Sequence, residues 1–224
     1  EIRVTALSNG PCGPSSAELS CVAQACPTVN IAVDPVAPIC LAANSPTVAL
    51  TAAITGGAGG GTLVWSGPGV AMGSDVFSPN VAGVGTHTIS LSYTEGTCTF
   101  NSSITIVVNA IPTSTFNATS NICITNSATI NYTGTASAGA TYVWDFDGGT
   151  ATPGTGRGPH DVSWATPGAK TISLTVTENG CTSTTTTRNV QVDAPLAAPV
   201  ITCGPATTSS VVFNWTTVPG AAIY

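Results

Sequence analysis

Two fourteen-residue segments, GTHTISLSYTEGTC (Gly85 to Cys98) and GAKTISLTVTENGC (Gly168 to Cys181), align without a gap 83 positions apart. A repeat fixes architecture before any single strand is assigned, because each copy must be a unit built on the same plan. The cysteines keep the same register: Cys40 and Cys98 are 58 positions apart, Cys123 and Cys181 are also 58 apart, and the two pairs are offset by 83. In the second copy Ile172, Leu174 and Val176 alternate with Thr171, Ser173, Thr175 and Thr177; in the first, Ile89, Leu91 and Tyr93 alternate with Thr88, Ser90, Ser92 and Thr94. One apolar face and one hydroxylated face describe a half-buried antiparallel strand. TLVW, ending at Trp65, corresponds to TYVW, ending at Trp144, with a slip of four residues that falls between strands, where loops absorb it.

Each copy holds about seven short runs of this kind. They are punctuated by NSPT, GGAGGG, SGPG and SPN in the first copy and by TNS, SAGA, DGG, TPGTGRGP and TPG in the second. That spacing predicts two packed sheets per copy, an all-β chain of tandem immunoglobulin-like sandwiches strung as a rod, and no helical periodicity competes with it. The 224 residues are 6% charged, against roughly 25% in an ordinary soluble domain. Disorder would be the reading of so little charge were it not for the regular Val, Ile and Thr alternation. The bases are Arg3, Arg157, Lys170 and Arg188, and the net charge of -6 argues against a nucleic-acid or anionic-membrane surface. No run of 18 apolar residues is present, so membrane insertion is not expected. Glu1 begins inside a strand-like pattern, which reads as a mature or excised piece.

Eight cysteines, two histidines and no Cys-x-x-Cys pair point to disulfides in an oxidising, extracytoplasmic setting and away from zinc. Equal spacing predicts one bridge within each copy, Cys40 to Cys98 and Cys123 to Cys181, with free buried thiols as the competing reading. Residues 1–27 and 196–224 stand outside the repeat. Pro199 to Tyr224 resembles the start of a fibronectin type III domain, with Trp215 facing the core. Glu1 to Pro27 resembles the end of one, with strands at Arg3 to Leu7 and Ala17 to Ala23. Neither piece has strands enough to close a sandwich. A longer parent polypeptide is the expectation, with Cys203 bonded beyond Tyr224; complementation between neighbouring chains by strand addition is the alternative. The pairing of Cys12, Cys21, Cys26 and Cys203 stays open.

Residues 110–193, through YVWDFDGG and HDVSWATPGAKTISLTVTENGC, resemble the polycystic-kidney-disease (PKD) repeat, an immunoglobulin-like sandwich marked by Trp-Asp-Phe-Gly-Asp-Gly. Here the order is Trp144-Asp145-Phe146-Asp147-Gly148-Gly149, with one Asp and one Gly transposed. Residues 28–109 keep the tryptophan but carry WSGPG where the acidic marker would stand, and so look like a diverged relative. Such modules, with the ENGC ending and fibronectin neighbours, resemble the repeats of very large Bacteroidetes surface adhesins, including gliding-motility adhesins exported by type IX secretion. The resemblance implies a non-catalytic, disulfide-stabilised spacer whose partners are the neighbouring modules of the same polypeptide. It is specific for module type and carries no ligand with it.

Asp145 and Asp147 are the only calcium candidates, and weak ones: an EF-hand spacing fails and about six oxygen ligands would be needed. Alternation points Tyr142, Trp144 and Phe146 inward and Val143, Asp145 and Asp147 outward, with Trp65, Trp144 and Trp215 as the core anchors of their modules. His160, Asp161 and Ser163 invite a triad reading, but adjacent strand residues face opposite sides and no nucleophile elbow accompanies them, which leaves them as surface strand residues. His87 has no register match to His160. The Gly56 to Thr62 stretch lacks the Lys-Ser/Thr ending of a phosphate loop and reads as a flexible hairpin loop. No cofactor and no catalytic residue is expected. A carbohydrate-binding module would need exposed aromatics, for which Trp164, Phe77 and Phe100 are the candidates. The sequons at Asn101, Asn117, Asn131 and Asn214 carry weight only in a eukaryotic secretory chain. With one lysine, Lys170, guarding the sheet edges, lateral self-association into a fibre and surface glycans are the further partners this composition leaves open.

Overall fold

The computed structural model describes residues 2–6, 15–19 and 25–222. Cys12, Cys21, the end of the expected Ala17 to Ala23 strand and Tyr224 lie outside the described residues. The chain divides into two compact units, Glu1–Val108 and Asn109–Tyr224.

In the first unit β1 (Ile2–Ala6) and β2 (Ser15–Leu19) form an antiparallel pair with Val4 opposite Ala17. The first sandwich follows. It comprises β3 (Val29–Val33), β4 (Ile39–Leu41), β5 (Val48–Ala49), β6 (Ala52–Gly56), β7 (Thr62–Ser66), β8 (Val76–Phe77), a single turn α1 (Pro79–Ala82), β9 (Gly85–Glu95) and β10 (Cys98–Ala110). Its main sheet runs β4-β10-β9-β7, and β3–β6 and β5–β8 are separate pairs. Trp65, Phe77, Ile89, Leu91, Ile106 and Val108 are buried together in one core.

In the second unit β11 (Phe116–Ala118), β12 (Asn121–Cys123), β13 (Ala128–Tyr132), β14 (Thr141–Asp145), β15 (Thr150–Thr152), β16 (His160–Ser163), β17 (Gly168–Glu178), β18 (Cys181–Thr182) and β19 (Thr186–Asp193) build the second sandwich. One sheet is ordered β11-β13-β16-β15 and the other β12-β19-β17-β14, with β18 on β17. Ile172, Leu174 and Val176 point inward from β17, at most 1% exposed, against Phe116, Ile130, Val162 and Val190. Each such burial stabilises by about 1.5–3 kcal/mol, and the threonines between them remain on the other face. The chain is therefore all-β, in tandem immunoglobulin-like sandwiches, as the alternation predicts. A last hairpin, β20 (Ile201–Ala206) and β21 (Val211–Trp215), forms a sheet of its own.

The expected cysteine pairing is not what forms. Cys98 is bonded to Cys26, 72 positions away, and Cys123 is a free, exposed thiol; Cys40 and Cys181 are disulfide-bonded as well. The register gives the reason. Cys123 lies opposite Asp193, at the end of β19 that pairs with the start of β17, whereas Cys181 lies opposite Glu178 at the other end of β17. Roughly 30 Å of strand separates those positions, far beyond the roughly 7 Å between Cα atoms that a disulfide spans. In the second sandwich the 58-residue spacing thus joins opposite ends of the sheet, and equal spacing of the two cysteine pairs marks equivalence of position, not partnership.

The Gly56 to Thr62 stretch also departs from expectation, since it is no hairpin loop: it carries the chain from β6, paired with β3, to β7 in the main sheet. Close approach explains two of its glycines. A Cβ at Gly56 (φ +82) would sit 2.2 Å from the Thr28 carbonyl oxygen, and one at Gly61 would sit 2.4 Å from the Tyr93 ring. Trp215 is not a buried anchor; it is 55% exposed on β21.

Candidate functional site around the Trp144 strand

The stretch from Tyr142 to Gly149 concentrates the titratable and aromatic groups, so it is the site to test for chemistry. Tyr142 and Phe146 are buried, Trp144 is half-buried, and Val143, Asp145 and Asp147 are exposed, the alternation expected of β14. Both carboxylates are occupied in holding the turn. Asp145 Oδ1 accepts from the Asp147 backbone N–H (2.9 Å), and Asp147 Oδ2 accepts from the Thr171 N–H (3.0 Å) at the start of the neighbouring long strand. Asp147 itself is left-handed (φ 51), a conformation Asp tolerates better than most side chains. The transposed marker is thus compatible with the turn. Gly149 completes it, because a Cβ there would lie 2.6 Å from Val162 and 2.7 Å from the Trp164 indole. Among the described residues no three His, Cys, Asp or Glu side chains gather where a metal ion could be held.

Beneath the turn lies a cluster of rings. Trp144 meets Phe116 edge-on at 5.1 Å, stacks on Phe146 at 5.5 Å and meets His160 edge-on at 5.1 Å. His160 is fully buried, which corrects its reading as a surface residue. Its Nδ1 faces the Pro153 carbonyl, and its Nε2 lies 3.2 Å from the Gly156 carbonyl. Trp144 Nε1 donates to the same Gly156 oxygen at 2.9 Å. The ring pair therefore fastens the 153–158 loop over the sandwich. Asp161 faces the other way and accepts from Thr129 Oγ1 (2.8 Å), and Ser163 is exposed, so no triad assembles. The exposed-aromatic candidates do not form a row: Phe77 and Trp164 are core residues, and only Phe100 is partly open, beside Tyr93. Trp164 Nε1 donates to Phe146 O at 2.8 Å. The four sequon asparagines are exposed, Asn117 and Asn131 directly opposite one another.

A feature that sequence reasoning missed recurs in both copies. Glu95, at the end of β9, accepts the Ala58 backbone N–H at 2.6 Å; Glu178, at the equivalent end of β17, accepts the Ser137 N–H at 2.9 Å. Each glutamate anchors the loop leading into the tryptophan strand. The signal was present in the gapless alignment, where TEGTC and TENGC hold the acid in register. The Ser137 hydrogen bond keeps the Glu178 carboxyl below its ordinary value of 4.5. A depressed carboxyl contributes stability that is present above about pH 4.5 and is lost as pH falls through its folded-state value. Thermal melts of wild type and Glu178→Gln should therefore converge on acidification through this range, with the wild type more stable only above it; parallel curves would disprove the clasp. Burial, and next the neighbouring Tyr132, push the Tyr142 phenol up, and its hydroxyl donates to Ser137 O (2.7 Å) in the same loop.

A groove of about 440 Å³ runs beside β7, lined by Leu50, Trp65 and Asp75 among others, and Asp75 is its one carboxylate. It brings together no acid and base that could act on a substrate. The β7 and β14 strands are sheet edges, and Leu63, Val64 and Val143 are exposed on them at 43%, 48% and 62%.

The sequence matches no family model, and no curated protein resembles it significantly. Among solved structures it is similar to immunoglobulin domains 1–5 of Sidekick-1 (TM-score 0.48, 11% identity), covering 89% of this chain and 47% of that one. It is also similar to the titin I-band fragment I67–I69 (TM-score 0.47, 11% identity, 87% and 77% covered). Fibronectin(III)-like modules of Clostridium thermocellum CbhA align with TM-score 0.32 and 18% identity over 74% of this chain and 95% of theirs. The chain thus spans about half the length of the Sidekick-1 structure it matches.

Proposed function

We propose that this chain is a structural repeat segment of a large secreted or surface-anchored bacterial protein, a PKD-type adhesin stalk of the kind exported by type IX secretion for adhesion or gliding, with its work mechanical. The observation that carries the reading is the pair of sandwiches with self-contained cores, in which the candidate carboxylates and the buried imidazole are spent on turns and loop anchoring. The Cys26–Cys98 disulfide supports an oxidising, extracytoplasmic setting. Pro112 between the two sandwiches, and Pro195 and Pro199 after the second, limit bending in the connecting segments.

Single-molecule pulling on the full chain tests this. The Cys26–Cys98 bond encloses most of the first sandwich, so under oxidising conditions its rupture should release only the residues beyond Cys98, on the order of 4 nm of chain at about 3.5 Å per residue. Under reduction the same event should lengthen to roughly 25–30 nm. A chain that extends without resolved ruptures in either condition would sink the stalk reading.

A further inference from the structure

Both ring nitrogens of the buried His160 are aimed at oxygens that can only accept. Nδ1 faces the Pro153 carbonyl, and Nε2 lies 3.2 Å from the Gly156 carbonyl. A neutral imidazole carries one N–H, so it donates to one of these oxygens and turns a bare lone pair toward the other, whereas the imidazolium donates to both. The loop is shaped to the ring: Gly158 sits at φ +87, and a Cβ there would lie 2.8 Å from His160 Cδ2 and 3.1 Å from Nε2. Gly156 O also accepts from Trp144 Nε1 at 2.9 Å, while the Pro153 oxygen has no other donor among the described residues.

The charged groups of the surrounding elements are all engaged elsewhere. Asp145 and Asp147, on β14 and its turn, are exposed and accept from backbone N–H groups; Asp161 on β16 is exposed and accepts from Thr129 Oγ1. Arg157, in the loop itself, lies over the Tyr132 ring, 5.5 Å from its centroid. The hydroxyls of Tyr132 on β13 and Tyr142 on β14 donate to Thr113 O and Ser137 O. Across the core, β17 and β19 present Ile172, Leu174, Val176, Val190 and Val192. Burial therefore opposes a charge on the ring, the two carbonyls oppose its absence, and no ion pair overrides either. We propose that His160 is a proton-operated latch on the 153–158 loop, fastened at two points when the ring carries two protons and at one when it carries one. Because Gly156 O keeps the Trp144 N–H, the neutral ring retains Nδ1–H on Pro153 O and gives up the proton on Nε2. The latch belongs to the second sandwich and stands apart from the stalk reading.

The test uses the full chain, with the half-buried His87 as an internal reference, since only its Nε2 meets a carbonyl (Gly83 O, 2.9 Å). Proton–nitrogen correlation spectra of the imidazoles, recorded from about pH 5 to 8, should show His160 with two N–H groups on the acid side and as the Nδ1–H tautomer on the alkaline side. Across that same step, amide exchange at residues 154–158, corrected for its intrinsic pH dependence, should quicken roughly two- to tenfold, the net worth of one hydrogen bond. The first sandwich should not follow it. In His160→Gln the step should vanish; if that variant does not fold, the wild-type spectra and exchange decide alone. The proposal is overturned by a His160 ring whose proton count never changes while the sandwich is folded, by a neutral Nε2–H tautomer, or by loop exchange that ignores the titration of the ring.

Discussion

Replacing Phe116 with alanine should destabilise the second sandwich by about 3–5 kcal/mol and leave the first untouched. Phe116 is fully buried, meets Trp144 edge-on at 5.1 Å, and stands on β11, whose pairing with β13 is only three residues long. Truncation removes the apolar contact of the ring and leaves a cavity between two sheets that are each fixed by their own ladders, so collapse cannot fill it. Since the total stability of such a domain is about 5–15 kcal/mol, the loss brings the sandwich near its unfolding midpoint. Calorimetry of the full chain should show one transition moving down by many degrees and the other staying in place. If both shift together, the two sandwiches do not carry separate cores.

Cys26→Ser should cost the first sandwich about 4 kcal/mol, the denatured-chain entropy that a closed loop of 72 positions removes in the loop-closure model. Cys98 is 6% exposed, and as a free thiol it remains an acceptable small apolar residue there. The folded state should accordingly change little and the unfolded state a great deal. Denaturant titration should show a lower midpoint for the first transition with the second unmoved. A first transition equal to the wild type would mean that the bond is not formed in solution.

The strands most legible in the sequence are those where a period of two is uninterrupted. Ile89, Leu91 and Tyr93 on β9, and Ile172, Leu174 and Val176 on β17, are buried as their alternation predicts. The same rule, applied without regard to residue chemistry, also places His160 in line with Val162 on the inner face of β16 and with Trp164 just after it. Treating histidine as a surface residue by type is what hid it, and it hid the burial of Trp164 as well. Disulfide partners were illegible because they depend on which end of a strand faces which, and that is set by sheet register and not by spacing. The glutamate clasps join residues 37 and 41 positions apart through backbone N–H groups, whose availability no side-chain pattern reveals. On the last hairpin, the core position of Trp215 is implied by the fibronectin type III resemblance and not by any pattern in the strand, and Trp215 is 55% exposed.

The outer faces of the sandwiches are held together by neutral hydroxyls. Thr94 pairs with Thr99, Thr175 with Thr185 and Thr177 with Thr182, at 3.3, 2.9 and 2.9 Å. Hydroxyl pairs have no net charge for dissolved ions to screen, whereas a surface laced with Lys–Glu pairs would lose that contribution as the Debye length shortens. The protein is in this respect built for indifference to salinity: its surface ladders should hold equally in fresh water and in brine, and concentrated salts would act on it chiefly through the strengthened burial of its apolar core.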